Sequence, residues 1–102
     1  MSSVYKIKID TLEEWEEMMK HQNYDISKAI VDKILENLHT KKRFIPILEI
    51  EINDNEEIYD ITLDRKNMLN TLQVNLKIYE KYEDYEGCDN IIKAINTISA
   101  KS

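Results

Sequence analysis

The stretch Phe44-Ile45-Pro46-Ile47-Leu48-Glu49-Ile50-Glu51-Ile52-Asn53-Asp54-Asn55-Glu56-Glu57-Ile58-Tyr59-Asp60-Ile61-Thr62-Leu63-Asp64 is where the fold can be read. Leu48, Ile50 and Ile52 alternate with Glu49 and Glu51. Tyr59, Ile61 and Leu63 alternate with Ile58, Asp60, Thr62 and Asp64. A period of two sends successive side chains to opposite faces of a pleated backbone, so the spacing predicts two half-buried strands, Phe44–Asn53 and Glu57–Asp64. Asp54-Asn55-Glu56 is a short polar connector suited to a hairpin turn. Pro46 lacks an amide hydrogen and places the start of its strand at an edge or ahead of the paired region.

Working outward, Val4–Asp10 repeats the pattern, with Tyr5, Ile7 and Ile9 alternating with Lys6 and Lys8. Thr11-Leu12-Glu13-Glu14 then forms a capping box and predicts a helix to about His21, with Leu12, Trp15 and Met18 or Met19 on one face. Asn23-Tyr24-Asp25 reads as a break and a new cap. Ile26, Ile30, Val31, Ile34, Leu35 and Leu38 carry a second helix to about Thr40, followed by Lys41, Lys42 and Arg43. From Arg65 the period is helical again, through Met68, Leu69, Leu72, Leu76, Tyr79 and Tyr82, and this helix is expected to be the longest element. Gly87 stands where a C-terminal cap belongs, and Asp89 is placed to cap a last helix bearing Ile91, Ile92, Ile95 and Ile98. The expected fold is α+β, a three-stranded antiparallel sheet with helices packed on one face, in the order β-α-α-β-β-α-α.

The chain has 102 residues, 42% apolar and 33% charged, with one Gly, one Pro and one Cys. That is the size and composition of a single globular domain, 1–102, and it disfavours a roomy, deeply buried active site. One Cys excludes an internal disulfide and suits a reducing compartment. Neither an apolar leader at the N-terminus nor an apolar run of membrane-spanning length is present, so a cytoplasmic location without membrane contact is expected.

Twenty acidic residues face fourteen basic ones, a formal charge of −6. This balance repels phosphates, so direct nucleic-acid binding is not expected, and a binding partner should be basic. Between Phe44 and Asp64 stand seven acids, Glu49, Glu51, Asp54, Glu56, Glu57, Asp60 and Asp64, and no Lys, Arg or His. Glu49, Glu51, Asp60 and Asp64 are expected on the solvent face of the hairpin, about 6.7 Å apart where two share a strand. One reading pairs them with Lys6 and Lys8 as an ordinary solvated face. The other makes the surplus field an attractor for a basic surface. A second acidic patch, Glu80, Glu83, Asp84, Glu86 and Asp89, is interleaved with Tyr79, Tyr82 and Tyr85. The first two tyrosines fit ordinary core packing, with their hydroxyls at the rim.

Catalytic machinery is not signalled. His21 and His39 lie near helix ends with no nucleophile or carboxylate at motif spacing, and Cys88 reads as a small buried or half-buried side chain. Asp54-Asn55-Glu56-Glu57 lacks calcium-loop spacing, and a single Gly leaves no phosphate-cradling loop, so neither metal nor cofactor is expected.

Three strings carry a resemblance: Tyr5-Lys6-Ile7-Lys8-Ile9-Asp10-Thr11-Leu12-Glu13, the helix Ala29–His39, and Ile78-Tyr79-Glu80-Lys81-Tyr82-Glu83-Asp84-Tyr85-Glu86. Over residues 4–86 the chain resembles the small acidic early proteins of T-even phages, the anti-restriction DNA mimics among them. That resemblance implies a non-catalytic inhibitor, with carboxylates standing in for phosphates. It would occupy the basic surface of a host DNA-binding or nucleic-acid-processing protein, in the host cytoplasm and as a homodimer. The chain departs from the pattern in the end beyond Cys88, in its modest charge, and in the basic clusters Lys41-Lys42-Arg43 and Arg65-Lys66. A second reading, from the residues alone, is an interaction module binding through an apolar helix face that contains Trp15, Met18 and Met19 or the C-terminal isoleucines.

Overall fold

In a computed structural model, residues 4–21, 23–54 and 56–100 are described. Strand β1 spans Tyr5–Ile9, helix α1 Leu12–Lys20, helix α2 Tyr24–Glu36, strand β2 Phe44–Ile52 and strand β3 Glu57–Asp64. A 3-10 turn, Arg65–Asn67, precedes helix α3, Met68–Lys81, and helix α4 spans Tyr85–Ala100. The class is α+β, with four helices and one three-stranded sheet in the order β1-β2-β3.

The sheet is mixed, which corrects the expectation of an antiparallel one. β2 and β3 form the antiparallel hairpin, but β1 runs parallel to β2, with Tyr5 opposite Leu48, Ile7 opposite Ile50 and Ile9 opposite Ile52. The reason lies in the connection. Two helices between β1 and β2 carry the chain back along the sheet, and a crossover of this length permits the parallel pairing that a short turn forbids. Pro46 precedes the stretch of β2 that pairs with β1, where its missing hydrogen costs no ladder bond, and the register shifts between Pro46 and Leu48.

Local chemistry sets the helix ends. The Thr11 hydroxyl accepts from the Glu14 amide at 3.3 Å, and the Glu14 carboxylate reaches back one residue further than a capping box requires, accepting from the Asp10 amide at 2.9 Å. Asn23 caps α2 by accepting from the Ile26 amide at 3.1 Å. α2 ends at Glu36, short of Thr40, and the Arg65 guanidinium holds the loop beyond it. That group donates to the Asn37 carbonyl (2.9 Å), the Thr40 hydroxyl (2.8 Å) and the Lys42 carbonyl (2.6 Å).

The helix expected from Arg65 almost to Gly87 is instead two elements. α3 ends at Lys81, and α4, with 16 residues against 14, is the longer helix. Glu83 takes the left-handed conformation (φ 59°) that follows a helix C-cap. Its amide donates to the Glu80 carbonyl and the Asp84 amide to the Tyr79 carbonyl, the paired bonds of a Schellman ending. Asp84, not Asp89, caps α4, its carboxylate accepting from the Gly87 amide at 2.9 Å. Gly87 therefore lies in the first turn of α4, and its requirement is space. A Cβ there would meet the Tyr79 ring at 2.5 Å and the Asp84 carboxylate at 2.6 Å.

One side of the sheet, with Ile7, Ile9, Ile45, Leu48, Ile50 and Ile52, joins a single core with Val31 and Ile34 of α2, Met68 and Leu72 of α3, and Ile91 of α4. Inside it, the Ser27 hydroxyl donates to the Asn75 side-chain carbonyl at 2.6 Å, and the Asn75 amide group donates to the Thr71 carbonyl at 2.8 Å, so the buried polar pair is satisfied. Among the described residues, no helix is long and apolar enough to cross a membrane.

Candidate functional site

The outer face of the sheet carries the hairpin acids in rows set by register. Across the strands, Lys6 stands beside Glu49 and Glu49 beside Asp60, while Lys8 stands beside Glu51 and Glu51 beside Ile58. The Lys6–Glu49 and Lys8–Glu51 pairs each close to 3.8 Å and are open to water. Two carboxylates of the expected row are thus matched by β1. Asp64 is also committed. Its carboxylate caps the 3-10 turn through the Lys66 amide (3.1 Å), stands 3.8 Å from Arg43 and 3.9 Å from Lys66, and is only 16% exposed. Glu57 accepts from the Tyr59 hydroxyl.

Asp54, Glu56 and Asp60 differ from these. All three are exposed and make no ion pair among the described residues. Glu56 turns the chain in the left-handed region (φ 54°) beside Asn55, the connector residue that lies outside the described set.

In the second patch, Asp84 is again a structural group. Besides capping α4 it accepts from the Tyr24 hydroxyl, and these bonds, the tyrosine's foremost, hold its carboxyl below the usual range. The same bond, with burial and the neighbouring carboxylates, pushes the Tyr24 phenol up to about 12. The Tyr24 ring packs on Tyr79 and Tyr82 at centroid distances of 5.4 and 5.2 Å, so a tyrosine from α2 fastens the α3–α4 turn. Tyr79 is buried as expected, whereas Tyr82 and Tyr85 are exposed. Glu80, Glu83, Glu86 and Asp89 are exposed on this turn and on the start of α4. Cys88 is buried, and burial raises its thiol pKa.

Topology brings the two acidic sets towards one end of the molecule. β2 runs towards the hairpin tip. α2 returns along the sheet in the opposite sense, so its first residue, Tyr24, lies towards that same end. The Tyr24–Asp84 bond places the α3–α4 turn there too. The clusters Lys41-Lys42-Arg43 and Arg65-Lys66 lie at the other end, where Phe44 pairs with Asp64. These loop cations are therefore separated from the hairpin tip along the strands, by about 30 Å for nine residues, while Lys8 and Lys81 stand among the acids.

Sequence reasoning named Arg65 only within a basic cluster and Tyr24 only within a helix break, and did not find that these two side chains tie this arrangement together. Nor did it find an apolar recess of about 230 Å³ lined by Leu12 and Trp15 of α1, Ile50 and Ile52 of β2, and Tyr59 and Ile61 of β3. Leu12 is 52% exposed and Tyr59 41% exposed. No group of three or more His, Cys, Asp or Glu among the described residues is placed to hold a metal ion. No family model matches the chain, and neither the curated proteins nor the solved structures give a match.

Proposed function

We propose that the protein is a non-catalytic acidic inhibitor that occupies the basic nucleic-acid-binding surface of another protein, in the manner of a DNA mimic. The observation that carries this reading is the separation of charge. Carboxylates with no ion pair among the described residues, Asp54, Glu56 and Asp60 at the hairpin and Glu80, Glu83 and Glu86 at the helical turn, gather towards one end, with the loop cations at the other. Such a dipolar surface steers its acidic end towards a basic groove, and the contact is weakened by salt. The resemblance to small acidic early phage proteins supports the same role and a host defence protein as target.

The test is retention of proteins from bacterial lysate by the wild type and by two triple variants, Asp54→Lys/Glu56→Lys/Asp60→Lys and Glu80→Lys/Glu83→Lys/Glu86→Lys. Glu49, Glu51 and Asp64 are left untouched because their substitution would break ion pairs inside the fold. The expected result is a DNA-binding protein held by the wild type, released by salt, displaced by DNA and lost from both variants. The same proteins held by all three at high salt would overturn the proposal. That outcome would favour the interaction-module reading, which the half-exposed recess around Leu12 and Trp15 supports and for which Trp15→Ala is the damaging change.

A further inference from the structure

β3 is one of the two edges of the sheet, β1 being the other, and among the described residues it is hydrogen-bonded on one side only. Its first four residues are all exposed, with Ile58 at 61%. Natural edges are commonly guarded by Lys, Pro or a bulge. β3 contains neither Lys nor Pro, and the register shift belongs to Pro46–Leu48 of β2. What the edge does carry is acid on its outer face and apolar surface on its inner face. Asp60 stands beside Glu49 on the outer side, while Tyr59 and Ile61 line the recess on the inner side.

The sheet already accepts a strand of complementary pattern on its other flank. β1 presents Tyr5, Ile7 and Ile9 on the inner side and Lys6 and Lys8 to Glu49 and Glu51 on the outer side. An extended chain laid along β3 would meet the same alternation. Its inward side chains would reach the recess formed with Leu12 and Trp15, and its outward ones would flank Asp60. We infer that the β3 edge and this recess bind an extended basic segment of the partner, alternating apolar residues with Lys or Arg, as a fourth strand of the sheet. Charge complementarity selects this occupant: Asp60 on the outer face of β3, with Asp54 and Glu56 at the hairpin end, makes no ion pair among the described residues, so a cationic strand is attracted where an acidic one is repelled. The inference deepens the proposed function, on which it rests, by naming how part of the basic partner would be held.

Trp15, the single tryptophan, reports on the recess directly. The probe is a capped peptide of alternating Lys and Val, about eight residues long. Its companions are the same peptide with alternate backbone nitrogens methylated, and a Glu-Val version. The expected result is saturable binding of the Lys-Val peptide with a change in Trp15 emission and amide shifts concentrated in residues 57–63. Binding should be about tenfold weaker for the methylated peptide and for Asp60→Lys, intermediate for Asp60→Asn, and absent for the Glu-Val peptide. Equal binding of the methylated peptide, or a response that leaves Trp15 and β3 unperturbed, would overturn strand addition. So would sedimentation showing a second copy of the chain seated on this edge. Salt-sensitive, DNA-displaced capture of a DNA-binding protein by the wild type would survive such a result, so failure of the edge and failure of the acidic-inhibitor reading are separable.

Discussion

Glu83 in the α3–α4 turn, Gly87 in the first turn of α4 and Tyr24 of α2 together decide how this turn is held. Glu83 holds a left-handed backbone that costs any residue with a Cβ about 1 kcal/mol or more, a cost that Gly avoids. Glu83→Gly should therefore stabilise the fold by about 0.5 to 1 kcal/mol after the entropy of glycine is counted, seen as a rise of a few degrees in the thermal midpoint. Gly87 presents the opposite case. Gly87→Ala would press a methyl into the Tyr79 ring and the capping Asp84 carboxylate, and a loss of about 1 to 3 kcal/mol is expected in denaturant unfolding. Tyr24 sets a pH dependence at both ends of the scale. The folded Asp84 carboxyl titrates below its unfolded value, so its contribution is present above that value and fades as pH falls through the folded one. The Tyr24 phenol is raised to about 12, so its contribution holds below the ordinary tyrosine value near 10 and fades as pH rises towards 12. Tyr24→Phe should move the Asp84 carboxyl back towards the usual range in a carbon-detected NMR titration and flatten the alkaline loss of stability. An unchanged Asp84 titration would remove the hydrogen bond as the cause.

At the scale of elements, periodicity located every strand and helix because burial on one face is a local property of sequence. It could not orient β1, since β1 has the same alternation whether it runs parallel or antiparallel to β2, and only the chain returning through α1 and α2 decides. The break between α3 and α4 was hidden for a related reason. Glu83 is an uncommon left-handed residue, and the Gly that drew attention marks close packing instead. One signal for the earlier start of α4 was present, because Cys88 continues the stripe of Ile91 and Ile95 back past Asp89. Asp54, Glu56, Asp60 and the acids of the helical turn other than Asp84 were legible as exposed charges, whereas Glu49, Glu51, Asp64 and Asp84 are half-buried, and the partners of the acids were only half legible. Lys6 and Lys8 were found beside Glu49 and Glu51, while Asp64 caps a 3-10 turn that precedes α3 and Asp84 caps a helix that starts five residues before the one Asp89 would cap. The cross-strand pairs are open to solvent, so Lys6→Ala and Lys8→Ala should each cost under about 1 kcal/mol in denaturant unfolding. Arg65→Met should cost more, about 1 to 2 kcal/mol, because one guanidinium satisfies three acceptors between α2 and β2.

Over the whole molecule, the formal charge of −6 is unevenly placed, with Lys41, Lys42, Arg43, Arg65 and Lys66 at the end away from the hairpin tip. The hairpin tip and the α3–α4 turn belong to different layers but point the same way, because α2 and α3 each run the length of the sheet and the Tyr24–Asp84 bond joins them at that end. A basic groove approaching along the strands would therefore meet both acidic sets together, each set adding to the attraction felt by the other's contacts. This makes a prediction that a solvated acidic surface of no function does not share. Reversing either set, Asp54, Glu56 and Asp60 or Glu80, Glu83 and Glu86, should slow association with a captured partner about tenfold at low salt, and the difference should shrink as ionic strength rises and the screening length falls below about 10 Å. Dissociation should change less, because exposed charges govern encounter more than the closed contact. Neutralising the other end, Lys41→Gln with Lys42→Gln, should leave association equal or faster. Stopped-flow association measured across a salt series reads all three. An effect confined to one acidic set would mean that the two ends of the helical and sheet layers do not act as one surface, and a salt-independent rate would take the field out of the mechanism altogether.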